Sequence, residues 1–160
     1  MNTNRNKWWS WLAVSAAVIV IDQLTKQWVS QSLEFHQVVP MAPYFNLVLA
    51  HNAGAAFSFL AGAGGWQRGF FVGIALIAAV AIVHLLRKHH GQKIFSLALV
   101  LILGGALGNL IDRVRFGYVV DFLDFYVQSW HWPAFNVADM AITGGAALLI
   151  WDSMKKQEAK

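Results

Sequence analysis

Cysteine is absent from this 160-residue chain. That excludes a disulfide framework, a thiolate metal site and a thiol nucleophile. Charge is scarce as well: Asp, Glu, Lys and Arg make up 12% of the residues, against 58% hydrophobic. So apolar a composition rules out an ordinary soluble domain and predicts one domain buried in lipid. The formal excess of +4 flanks apolar runs instead of clustering on a soluble face, which argues against a nucleic-acid partner. Linkers, low-complexity tracts and internal repeats are missing. There is no zinc motif and no G-x-S-x-G, Ser58 has no evident basic partner, and the histidines lack metal-ligand spacing.

What is present is four long apolar runs, about 8–29, 69–86, 94–111 and 137–151. The second, "GFFVGIALIAAVAIVHLL", carries no acid, Lys or Arg and alone is long enough to span. The first follows a basic N-terminus like a secretory signal peptide, but it continues into "IDQLTKQW" with no cleavage site. It therefore reads as an uncleaved first helix. "GGALG" in the third run and "GG" in the fourth are small-residue patches of the kind that let membrane helices approach closely. The fold class expected is an α-helical integral membrane protein with four transmembrane helices. Residues 30–68, with Pro40, Pro43 and the alternating "YFNLVLAHNAGAAFSFLAG", suit a small sheet on the membrane surface. Residues 113–135, rich in aromatics, suit an amphipathic interfacial segment.

Eight of the twelve Lys and Arg residues fall at the termini and in the loop "RKHHGQK". The positive-inside rule then puts both termini and that loop in the cytoplasm, and 30–68 and 113–135 on the periplasmic side. Most acids fall on the opposite, outer half. Asp22, about 20 Å along a helix from Trp8, Asp112 at the end of the third run and Asp139 at the start of the fourth reach one level of the bilayer. Ionisable groups at such depth are costly and mark function.

Plainer readings stand beside that one. Asp22 and Lys26, four apart, form a helical ion pair. Asp112 beside Arg113 reads as a helix-end charge pair, and Asp124 as a solvated residue. Asn136 caps the fourth helix, with Asp139 as its first-turn acid. Two carboxylates sharing a proton also permit peptide hydrolysis, one staying protonated while the other activates water. A channel or transporter, a divalent-metal enzyme on Asp112, Asp121, Asp124 and Asp139, and a binding protein without catalysis remain as rivals.

Four blocks narrow the field: "IDQLTK" at 21–26, "FNLVLAHNAGAAFSF" at 45–59, "GGALGNLIDRVRFGYVVDFLDF" at 104–125 and "FNVADMAI" at 135–142. In this order they resemble the lipoprotein signal peptidase (signal peptidase II) family. The resemblance implies a four-helix aspartyl endopeptidase of the bacterial cytoplasmic (inner) membrane, with a β-cradle and a periplasmic-face active site. Its substrate would be a diacylglyceryl-modified prolipoprotein, cut before the lipidated cysteine. The implied catalytic dyad is Asp121 and Asp139, with Asn52, Asn109, Arg113 and Asn136 lining the substrate site. Asp22, Lys26, Gly54 and Asp112 carry over as supporting residues. Neither metal nor cofactor is expected. The implied partners are substrate and membrane lipids, with inhibition by the cyclic peptide globomycin, and a monomer is expected.

Overall fold

The computed structural model describes residues 8–54 and 64–158; Ser58 lies outside them. A 3-10 turn at Trp8–Trp11 opens into α1, Leu12–Ser32. Strands β1, Val38–Ala42, and β2, Phe45–Asn52, follow. Next come α2, Trp66–His89, and α3, Lys93–Phe116. Strands β3, Val119–Val127, and β4, Trp130–His131, then lead to α4, Val137–Glu158.

Four of these helical segments are long and apolar enough to cross a membrane. Their outward faces carry large apolar residues, Val20, Leu24, Ile77, Val80 and Ile150 among them, as lipid-facing helices do. Helix α3 differs: it packs against α1, α2 and α4 and is the most buried of the four. Glycines make that position possible. A Cβ on Gly105 would stand 2.2 Å from the Ala138 carbonyl oxygen, and one on Gly145 2.7 Å from that of Ala98, so α3 and α4 meet backbone to backbone. On the other side of α3, a Cβ on Gly104 would meet Val18 at 2.8 Å.

Helix α3 runs past the expected run and takes in Arg113 and Arg115, which the sequence placed in the loop. It stops at Gly117, φ +86°, whose N–H donates to the Arg113 carbonyl at 3.1 Å. Glycine closes helices this way, and the two arginines suit the negative end of the helix dipole.

The four strands form one antiparallel sheet in the order β1-β2-β3-β4. Pro43 and Tyr44 (φ +69°) make the turn between β1 and β2. The amphipathic segment expected after the third helix is therefore largely a strand. Its first four residues are all buried, so the period-2 alternation that signals a strand is absent. Val29, Leu49, Val120 and Phe122, with Leu33 and Val137 against them, seal the sheet onto the helix ends. At the far end of the bundle, Lys156 Nζ donates to Gln92 Oε1 at 2.7 Å and the Arg87 guanidinium lies 4.6 Å over the Trp8 ring. The start of α1, the α2–α3 turn and the end of α4 thus gather at one end, opposite the sheet.

Candidate active site

The site is built on a buried charge network. Lys26 Nζ lies 2.9 Å from Asp22 Oδ2 and 2.8 Å from Asp112 Oδ2, with all three side chains nearly inaccessible. Buried ions need such company, because an unpaired one is strongly destabilising. Asp22 Oδ1 accepts the Ala138 N–H at 2.9 Å, which ties α1 to the first turn of α4. Asp112 accepts Gln23 Nε2 at 2.8 Å and the Val120 N–H at 3.1 Å, tying α3 to α1 and β3. The Asp22–Lys26 ion pair is as expected. Asp112 differs: its cation is Lys26, while Arg113 turns away, donating Nη2 to the Gly54 carbonyl at 2.7 Å and lying 4.8 Å over the Phe71 ring.

From this base three asparagines reach two carboxylates. Lys26 also donates to Asn109 Oδ1 at 2.9 Å, and Asn109 Nδ2 donates to Asp139 Oδ1 at 2.8 Å. Asn136 Oδ1 accepts the Asp139 N–H at 2.9 Å while its Nδ2 donates to Asp121 Oδ1 at 2.6 Å. Asn52 Oδ1 accepts the Gly54 N–H at 3.0 Å and its Nδ2 donates to Asp121 Oδ2, also at 3.0 Å. An ammonium or a backbone N–H can only donate, so in each case the amide oxygen is claimed from behind and the NH₂ must face the carboxylate. The chain orients all three amides before any ligand arrives.

Asp121, Asp139, Asn52, Asn109 and Arg113 line one cavity of about 600 Å³ between α3, α4 and the sheet. Trp132, Pro133, Ala134 and Phe135 line one side of it, and Met140, Thr143 and Gly144 of α4 another; sequence reasoning gave none of them a place in the site, although the first four directly precede Asn136. Burial, reinforced by the charge of Asp139, pushes the Asp121 carboxyl up to about 7. One acid of such a pair can therefore keep a proton near neutrality while its neighbour is ionised. Asp124, expected in solvent, is instead buried at 5% exposure. It accepts Asn46 Nδ2 at 2.8 Å and pairs with His131 Nδ1 at 2.9 Å, away from the cavity.

The family model described as signal peptidase (SPase) II matches residues 14–155. The chain belongs to the signal peptidase II family. Its relatives include the lipoprotein signal peptidase of Paraburkholderia phymatum, 56% identical over 91% of this chain and 88% of that one. That of Ralstonia nicotianae is also 56% identical, over 91% of this chain and 84% of its own length. Among solved structures, a bacterial membrane enzyme determined in meso at 2.3 Å resolution superposes with a TM-score of 0.86 at 31% identity. The match covers 94% of this chain and 91% of the other. A signal peptidase II is a peptidase, and the chain is accordingly a multi-pass bacterial membrane hydrolase, with four apolar helices and a small antiparallel sheet as the sequence led one to expect.

Proposed function

We propose that the protein is an aspartyl endopeptidase that removes signal peptides from diacylglyceryl-modified prolipoproteins, cutting before the lipidated cysteine with Asp121 and Asp139. One observation carries this reading: two buried carboxylates face a common cavity, each held by asparagine donors that are themselves fixed.

The chemistry follows from the unequal surroundings of the pair. Asp139, in the first turn of α4 with Asn109 and the Asn136 N–H as donors, acts as the ionised base and takes a proton from water. The hydroxide formed attacks the scissile carbonyl. Asp121, still protonated near pH 7, donates to the carbonyl oxygen, giving a gem-diol. Collapse of that intermediate breaks the C–N bond, one hydroxyl proton of the gem-diol returning to Asp121 while the proton on Asp139 passes to the leaving amine. Acid–base assistance of this kind is worth roughly 10²–10⁴-fold. Arg113, with its fork of donors, and Asn52 and Asn109 hold the peptide, while Asp22, Lys26, Gly54 and Asp112 hold the holders. The helix end bearing Arg87, Lys88, Lys93, Lys155 and Lys156 lies in the cytoplasm by the positive-inside rule, so the cavity opens toward the periplasm. The substrate, an apolar helix ending in a lipidated cysteine, brings its scissile bond to that level, and globomycin competes for the same cavity.

The test uses purified protein in detergent with a diacylglyceryl-modified prolipoprotein and its unlipidated counterpart. Cleavage of the lipidated form alone, resistant to EDTA and lost in both Asp121→Asn and Asp139→Asn, is the expected result. Full turnover in either variant would sink the dyad.

A further inference from the structure

The segment between β4 and α4 is a strap. Trp132 N–H donates to the Phe125 carbonyl at 2.7 Å and Phe135 N–H to that of Leu123 at 3.1 Å, while Pro133 between them has no N–H to give. Trp132 and Phe135 stand between two spaces: the cavity of Asp121 and Asp139, and an apolar hollow of about 370 Å³ beside Tyr44 and Tyr126. A shift of Trp132 toward one space would narrow it and widen the other. The inner end of the strap is fixed by Asn136, which caps α4. The outer end hangs on β4, two exposed residues reached through a turn in which Gln128 has φ +56°. So short a ladder is a weak anchor by itself.

The buried part of that anchor is Asp124. Its carboxylate accepts Asn46 Nδ2 from β2 at 2.8 Å, and His131 Nδ1 approaches its two oxygens at 2.9 and 3.0 Å. A carboxylate only accepts, so Nδ1 carries the hydrogen. The imidazole also stacks on Tyr126, centroids 5.3 Å apart. One buried acid thereby binds β2, β3 and β4 together at the point where the strap begins.

We propose that Asp124 and His131 form a clasp that holds the strap against the substrate cavity, making His131 a positioning residue that acts through Trp132 and Phe135. This rests on the peptidase reading above. The clasp sets how closely the apolar walls at Trp132 and Phe135 meet the peptide, and it takes no part in proton transfer.

The test compares wild type with His131→Phe, which keeps the ring against Tyr126 but loses the donor, and with His131→Asn, whose amide nitrogen stands where Nδ1 stood. Steady-state cleavage of the lipidated prolipoprotein is measured alongside hydrogen–deuterium exchange over residues 130–136. His131→Phe should raise KM about five- to tenfold, the scale of one hydrogen bond. Its kcat should stay within about twofold and exchange at Trp132 should quicken, while Phe135, whose carbonyl also accepts the Phe122 and Leu123 N–H groups, should change less; His131→Asn should restore both readouts. Unchanged KM and exchange in His131→Phe, a loss confined to kcat, or no recovery in His131→Asn overturns the clasp. Wild type that cleaves nothing overturns the peptidase reading instead, and the exchange arm then judges the clasp by itself.

Discussion

The backbone N–H of Asp139 donates to Asn136 Oδ1 at 2.9 Å, and the backbone N–H of Asn136 donates back to Asp139 Oδ2 at 3.3 Å. This reciprocal box caps α4, yet the same Asn136 also spends its NH₂ on Asp121. One residue thus serves the helix and the site, and the two duties are separable. Asn136→Ser keeps a good cap but removes the donor to Asp121. Asn136 is fully buried, so the variant's thermal midpoint should fall, though less than that of Asn136→Ala, while kcat falls by roughly 3- to 10-fold, the worth of one hydrogen bond to a neutral carboxyl. Asn136→Ala should lose both, with an additional stability cost of about 1 kcal/mol.

The proton on Asp121 makes stability depend on pH. The folded protein holds that proton up to about 7, whereas an unfolded aspartate releases it near 3.8. The native state therefore binds the extra proton across that window, and its stability falls as pH rises through it. Thermal midpoints in detergent, measured from pH 4 to pH 8, should decline in wild type and decline less in Asp121→Asn. A slope shared by both would contradict the burial of this acid.

The glycine seams differ from one another in a way that stability measurements can read. Gly105→Ala drives a methyl to 2.2 Å from the Ala138 carbonyl oxygen, where neither backbone has room, while Gly144 has nothing within 4 Å of its Cβ position. Overpacking of this kind costs about 1–3 kcal/mol, and here it displaces the turn that carries Asp139. Gly105→Ala should lower both the unfolding midpoint and turnover. Gly144→Ala, at a residue that lines the cavity of the two acids, should keep the unfolding midpoint or raise it, gaining up to about 1 kcal/mol from helix propensity.

The four helices were legible because length and continuous apolarity are local properties, and "GGALG" and "GG" announced the close approach that the seams realise. The Asp22–Lys26 pair was legible from its spacing along one helix. Strand β3 was harder: with Val119 to Phe122 all buried, no alternation survived to mark it. Asp124 looked solvated because its partners, Asn46 and His131, come from other strands, and strand register cannot be read from a single segment. Asp112 beside Arg113 suggested a pair to each other, but neighbours in a helix point apart, and the ammonium of Lys26 was there to take the acid. Asn136 was legible as the cap of the fourth helix, with Asp139 three residues on; Asn52 and Asn109 were singled out only by family resemblance. That Asn109 is pinned from behind by Lys26, and that all three asparagines turn their NH₂ groups on the two acids, are three-dimensional facts with no signature in spacing.

Asp121 rides on a strand and Asp139 on a helix, so their mutual placement depends on the joint between sheet and bundle at Val29, Leu49, Val120 and Phe122. Helices in a bilayer tilt to match its thickness; a surface sheet has no such obligation. Because the two acids stand on elements that answer to the membrane differently, bilayer thickness bears on their separation as well as on the stability of the bundle.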